Sequence, residues 1–204
     1  MAAPHAVQLS VPDLRVDGLE LRPLGEADLA QLLESPPDEE MRRWLTIRAD
    51  PVTEDVLRVD LVLPSEDGWK TGRMAHFSIY DSRSERLLGT ISVRFYRHGI
   101  AEVGYDLLPH ARGRGVATRA VRLVAGWAFR EVGVERLELR THPDNLASQR
   151  VAERAGFTNE GVERASRRLY DERHDCVVYS LLPSDPLEEV PVKRLAKVAR
   201  RAAT

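Results

Sequence analysis

Leu107-Leu108-Pro109-His110-Ala111-Arg112-Gly113-Arg114-Gly115-Val116-Ala117-Thr118 is the stretch that decides the fold. An apolar run ends, a proline stops it, and a glycine-rich turn opens a long helical pattern. Glycines at 113 and 115 remove side chains where that helix presents its unpaired amides, so a phosphate can approach the N–H groups closely and the helix dipole adds to the attraction. The segment from Arg112 through Gly113, Arg114, Gly115, Val116 and Ala117 to Thr118 therefore reads as a diphosphate cradle. It is neither of the two common nucleotide loops. The dinucleotide fingerprint needs a third glycine where Thr118 stands and a parallel βαβ unit where the preceding elements look like hairpins; a P-loop needs Gly-Lys-Ser/Thr.

Downstream of the turn, Arg114 to about Val132 reads as one helix with Val116, Ala120, Val124 and Trp127 or Ala128 along a stripe, ended by Gly133. Leu137 to Thr141 is a short strand. Asn145 to Ala155 is a helix opened by the Asp144-Asn145 pair and closed by Gly156. Strands around Phe157 to Glu163 and His174 to Leu182 follow. Upstream, Met74 to Tyr80, Leu87 to Tyr96 and Ile100 to Leu108 form an antiparallel meander with turns at Asp81 to Arg86 and at His98-Gly99. Gly18 to Leu24 is a first strand; Glu26 to Glu34, Asp38 to Leu45 and Thr53 to about Leu63 are helical, and Gly68 and Gly72 bracket a loop holding Trp69. The order predicts an α/β (α+β-like) domain with a largely antiparallel sheet over 1–183, and Pro183, Pro186 and Pro191 mark a linker into a basic tail over 184–204.

The 204 residues, 43% hydrophobic and 30% charged, suit one such domain. A net charge of -2 makes no case for a nucleic-acid binder, and the cations of the tail (Lys193, Arg194, Lys197, Arg200, Arg201) read as a solvated segment. The single cysteine, Cys176, excludes a disulfide framework, and the six scattered histidines show no metal-ligand spacing, so no metal is expected. Neither a signal peptide nor an apolar run of membrane-spanning length is present, which reads as a cytoplasmic protein with no membrane partner. Between Glu34 and Asp67 ten acidic residues face four arginines, a local excess that would attract a cation.

Arg112-x-x-Gly115-x-Ala117 resembles the Gln/Arg-x-x-Gly-x-Gly/Ala signature of the GNAT superfamily of N-acetyltransferases, in which it holds the pyrophosphate of acetyl-CoA. The stretch from Ala101-Glu102-Val103-Gly104-Tyr105 to Ala117, then Asn145-Leu-Ala-Ser148, Val151-Ala-Glu153-Arg154-Ala-Gly156-Phe157 and Asp175-Cys-Val-Val-Tyr179-Ser-Leu-Leu182, is similar to the branch containing the ribosomal-protein N-terminal (Rim-type) enzymes. The resemblance covers about 18–183. It implies a GNAT fold with a mostly antiparallel sheet of about seven strands flanked by about four to five helices. It further implies acetyl-CoA as cosubstrate and an amine acceptor, either a small molecule or a protein N-terminus; a homodimer is one possible assembly.

Within that frame Leu107 is expected to pair through its main chain with the pantetheine arm, and Asn145, first of all a helix N-cap, to contact the cofactor. Glu102, alternating with Ala101 and Val103, is the candidate general base acting through water, because an amine must lose a proton to attack. Ser148 is the candidate acid for the leaving thiolate, with Tyr105, Tyr170 and Tyr179 as alternatives. Arg154 is expected near the adenine end. Cys176, beside Val177 and Val178, reads as sheet core rather than nucleophile, and His110 and His142 as surface residues. A catalytically degenerate acyl-CoA-binding sensor is the alternative to an enzyme.

Overall fold

Eight strands make one sheet in the order β1-β2-β3-β4-β5-β6-β8-β7, in a computed structural model that describes residues 8–44, 49–169 and 172–187. They are β1 (Leu14–Val16), β2 (Leu19–Pro23), β3 (Met74–Asp81), β4 (Arg86–Phe95), β5 (Ile100–Leu107), β6 (Arg136–Thr141), β7 (Thr158–Leu169) and β8 (Glu172–Leu181). The strand added to the seven of the sequence reading is β1, which pairs with β2 at Leu14↔Leu21. Among the described residues six α-helices accompany them: α1 (Leu29–Glu34), α2 (Glu39–Trp44), α3 (Glu54–Leu57), α4 (Leu63–Thr71), α5 (Val116–Trp127) and α6 (Leu146–Arg154). Among the described residues no helix is long and apolar enough to cross a membrane. The expected tail from residue 188 onward and Tyr170 lie outside the described residues. Before them the chain stays on the domain: Leu187 packs against the core and Pro186 O lies beside Gly156.

The core lies between the sheet and α5. Val116, Ala120, Val124 and Trp127 are buried along one side of α5, and the sheet answers with Phe77, Ile91, Ala101 and Val103. Trp127 meets Phe77 edge to face at 5.6 Å and Phe95 at 6.2 Å, an arrangement aromatic quadrupoles favour. The helix then widens into a five-residue turn over Ala128–Val132 and ends on Gly133 at φ 80. On the opposite face a smaller cluster of Leu24, Leu29, Leu57 and Val62 anchors the N-terminal helices, and Leu32 and Met41 pack on Tyr80, Leu87 and Leu108.

Three expectations change. The loop around Trp69 is the helix α4. Pro64 sits in its first turn, where a missing N–H is harmless, and the chain reaches it through a wide turn over Arg58–Val62. Gly68 does not break the helix; a Cβ there would lie 2.8 Å from Met74 O, so the residue permits close approach, and only Gly72, at φ 66, ends the element. β7 runs six residues beyond Glu163, to Leu169, because Arg167, Arg168 and Leu169 pair with His174, Arg173 and Glu172 of β8. Those residues carry no apolar alternation that would have marked a strand. Finally, a parallel βαβ unit is present after all. β5 and β6 are parallel and joined by α5, while the other described strand pairs are antiparallel.

Candidate active site

The parallel pairing between β5 and β6 is short. Ile100↔Arg136, Ala101↔Leu137 and Glu102↔Glu138 are in register, and beyond Glu102 the two strands part. On its other edge β5 stays paired with β4 through Leu107, and Leu108 N–H donates to Leu88 O at 2.9 Å. An antiparallel ladder alternates its hydrogen bonds, so the residues in step with Leu108 point their main-chain groups at β4. Val103, Tyr105 and Leu107 are out of step: their N–H and C=O groups face the gap that β6 has left. An extended, amide-bearing ligand can complete the sheet there.

The glycine turn closes the far end of that gap. Gly113 and Gly115 have φ 72 and 68, a left-handed conformation that side chains resist, and a Cβ at either would meet nothing within 4 Å. Glycine is needed here by the backbone, and the space in front of it is open. Gly115 caps α5, and its carbonyl accepts the first helical bond, from Arg119 N–H at 3.2 Å. The amides of Val116, Ala117 and Thr118 come before that bond and have no partner within the helix. Gap and turn belong to one cleft of about 730 Å³, lined by Arg112, Gly113, Gly115, Val116, Ala117 and Thr118 on the cradle side, by Asn145, Ser148 and Arg154 of α6, and by Glu102 to Leu107. Arg114 is exposed and does not line it. The Leu107 side chain packs against the core.

Asn145 caps α6, its Oδ1 accepting from Ser148 N–H at 3.0 Å. That places Ser148 Oγ within 3.3 Å of the Tyr105 hydroxyl, which donates to it. Two of the four sequence candidates for a proton donor thus form one pair. Burial raises the Tyr105 phenol to about 12, so it stays protonated at neutral pH. Glu102 sits on the opposite face of β5 with its carboxylate engaged by Arg167 of β7. Tyr179 is fully buried and donates to Glu153 at 3.3 Å, which is packing rather than chemistry. Cys176 is buried, its thiol donating to Thr141 O at 3.4 Å, and burial pushes its pKa up. A buried thiol of that kind is a poor nucleophile. No group of His, Cys, Asp and Glu side chains among the described residues could hold a metal ion.

Comparison with known proteins decides the family. The acetyltransferase (GNAT) domain model matches residues 18–158. The chain belongs to the GNAT acetyltransferase family. It is 37% identical to the probable N-acetyltransferase YjcK of Bacillus subtilis over 113 residues, which span 54% of this chain and 62% of that protein. In fold it is similar to the ribosomal-protein-S5-alanine acetyltransferase of Vibrio fischeri, with TM-score 0.73, 20% identity, and coverage of 85% of this chain and 97% of that one. It is also similar to RimL, the ribosomal L7/L12 α-N-protein acetyltransferase solved with coenzyme A. There the TM-score is 0.70 and the identity 22%, covering 84% of this chain and 98% of that one. GNAT acetyltransferases use acetyl-CoA, and this chain is a GNAT N-acetyltransferase.

Several side chains of this GNAT domain take places other than those the sequence suggested, and two residues of the cleft were not singled out at all. The Arg112 side chain turns away from the cradle, gripping Asp38 with both nitrogens (2.7 and 2.8 Å) and Glu40 at 2.9 Å. It ties α2 to the glycine turn. His110 and His142, expected on the surface, both have partners. His110 Nε2 contacts Leu87 O at 3.0 Å, and the His142 ring lies between Trp44 of α2 and His174 of β8, at 5.3 and 5.4 Å. His76 and Asp106 line the cleft floor. Burial, with Arg94 nearby, lowers His76 to about 4, and burial raises Asp106 to about 6 against the pull of Arg112. Neither carries a local motif; the only trace in sequence is that Asp106 shares a strand face with Glu102.

Proposed function

We propose that this enzyme binds acetyl-CoA along the open edge of β5 and transfers the acetyl group directly to a primary amine, with an α-amine of a peptide or small molecule favoured. The observation that carries the reading is the coincidence, in one cleft, of an unpaired strand edge with a phosphate-sized turn of free amides. The cosubstrate supplies an activated acyl group and a thiol leaving group. The amides of Gly113 to Thr118 are suited to its pyrophosphate, and the main-chain groups of Val103, Tyr105 and Leu107 to its amide-bearing arm. A fixed N–H on that edge is also placed to meet charge developing on the carbonyl oxygen.

The Tyr105–Ser148 pair donates a proton to the departing thiolate, and a carboxylate on β5, for which sequence favours Glu102, relieves the amine of its own. Both substrates are held together, an arrangement that supplies roughly 7–11 kcal/mol when geometry is right. No acyl-enzyme is involved, since Cys176 is buried and its thiol is committed to Thr141 O. The names of the two ribosomal-protein enzymes that share the fold support an α-amine acceptor.

The test joins binding to turnover. Acetyl-CoA should raise the melting temperature, and Gly115→Val, which puts a β-branched residue at φ 68, should abolish that rise. Thiol release with a panel of amines should accompany binding, and Ser148→Ala should lower kcat by ~10–10⁴-fold at unchanged affinity for CoA. Undiminished CoA binding by Gly115→Val would refute the cradle. Binding without thiol release for every amine would make the protein an acyl-CoA sensor.

A further inference from the structure

Glu102, Gly104 and Asp106 share the face of β5 that looks away from α5. The register sets Gly104 beside Ser92 and Ser92 beside His76, while Asp106 lies beside Thr90. At Gly104 a Cβ would meet only Ser92 Oγ, at 3.8 Å. Neither strain nor crowding demands a glycine there; its effect is to leave space along β5 in the cleft that Met41 and Leu61 also line, with a carboxyl two residues away on either side.

The two carboxyls are not equivalent. Glu102 stands where β5 and β6 are still paired, and Arg167 holds it. Asp106 stands where the strands have parted, between Tyr105 and Leu107, whose main-chain groups line the open edge. It has no hydrogen bond or ion pair with any described residue. The cation nearest in effect, Arg112, is spent on Asp38 and Glu40. Since neighbours alternate faces, the Tyr105 hydroxyl with Ser148 and the Asp106 carboxyl lie on opposite sides of the strand at one level of the gap.

We propose that Asp106, and not Glu102, is the catalytic base: the acceptor amine enters over Gly104 and gives its proton to the Asp106 carboxylate. This role rests on the acetyl-transfer reading above. As the amine nitrogen bonds to the acetyl carbon, its proton passes to Asp106; the carbon–sulfur bond breaks, and the thiolate takes a proton relayed by Ser148 and Tyr105. Asp106 returns its proton to solvent before the next turnover, and solvent restores the proton of the pair. A half-buried carboxyl lining the cleft and raised to about 6 suits the task, being ionised near neutrality yet basic enough to hold a proton. The charged and titratable groups around it are few. They are Arg112 and its partners Asp38 and Glu40 from the cradle and α2, Tyr105 and Glu102 on β5, Arg94 on β4, and His76 on β3, which stays neutral above about pH 4.

The test uses the full chain and the fastest acceptor from a panel of amino acids, alanine- and serine-initiated peptides and polyamines. For the parent, kcat/KM should rise with pH through an apparent pKa near 6. Asp106→Asn should lower kcat by ~10²–10⁴-fold and erase that limb, while keeping the melting-temperature rise with CoA. Glu102→Gln should keep the limb. The proposal is overturned if Asp106→Asn retains kcat within threefold, if it keeps the limb, or if Glu102→Gln is the variant that loses it. A parent that binds CoA yet acetylates no amine would overturn the acetyl-transfer reading first and the role of Asp106 with it, an outcome distinct from a variant-specific result.

Discussion

A carboxyl half removed from water without a cation of its own weakens the folded state, and Asp106 is such a group. Its folded pKa of about 6 lies above its ordinary 3.8, so folding favours the protonated acid. The stability this lends is complete below about pH 4 and is lost as pH rises through about 6, a change on the order of 3 kcal/mol. Asp106→Asn removes the titration. At pH 7.5 it should melt at or above the parent, by up to several degrees, and near pH 4 the two should coincide; melting curves across pH 4–8 check this. A parent that stays the more stable at every pH would mean the carboxylate has a partner. The setting of Asp106 was not legible in sequence, where it is one polar residue before two leucines. Glu102 drew attention because a familiar motif surrounds it. What distinguishes the two is their neighbours, Arg167 for one and an open strand edge for the other, and both arrive from elsewhere in the chain.

At the scale of elements, glycine had two meanings that sequence alone did not separate. Gly133 and Gly72 end helices in the left-handed conformation, while Gly68 lies inside α4 because Met74 leaves no room for a side chain. Replacing Gly by Ala inside a helix ordinarily gains about 0.5–1 kcal/mol. At Gly68 the new Cβ would press on a backbone oxygen, which cannot swing aside, so Gly68→Ala should cost about 1–3 kcal/mol and lower the melting temperature by several degrees. Gly126, inside α5, is the contrast. The atoms nearest a Cβ there belong to the tip of the flexible Arg130 side chain, at 2.8 Å. Gly126→Ala should therefore hold or raise the melting temperature. Equal losses at both sites would show that backbone crowding is not the cause. The hairpin β3–β4–β5 and the stripe of α5 were readable because burial on one face imposes a period. The extension of β7 was not, because its residues alternate no hydrophobicity and rely on β8 for pairing.

For the whole molecule, charge is organised differently from its distribution along the chain. The acid-rich stretch from Glu34 to Asp67 is largely consumed internally. Asp38 and Glu40 pair with Arg112, Asp50 with Arg42, Glu54 and Asp55 with Arg58, Glu66 with Lys70 and Asp67 with Arg73. Of these acids Glu40 alone lines the cleft. The acceptor's own protonation then matters more than attraction by the segment. An α-amine has a reference pKa of ~7.7–8.0 and a lysine-type amine ~10.4. Near pH 7.5 the first is substantially neutral and the second about a thousandfold protonated, and a single carboxylate base suits the first. Peptides offering only an α-amine should outcompete peptides offering only an ε-amine at pH 7.5. Faster modification of the lysine peptide would contradict the α-amine assignment.

Sequence by itself determined the glycine turn, the meander, the buried stripe of α5 and the capping of α6, since each depends on residues near one another in the chain or on a strict period. It also brought Ser148, Tyr105 and Glu102 forward, though without their geometry. Tertiary structure alone decided that β6 leaves β5 after Glu102, that the hydroxyls of Tyr105 and Ser148 meet, that Arg112 serves α2, and that Asp106, unlike Glu102, has no partner among the described residues. The physical reason is common to all four. A side chain's chemistry depends on the solvent it loses and the charges it gains, and here those neighbours come from positions tens of residues distant, which no local pattern encodes.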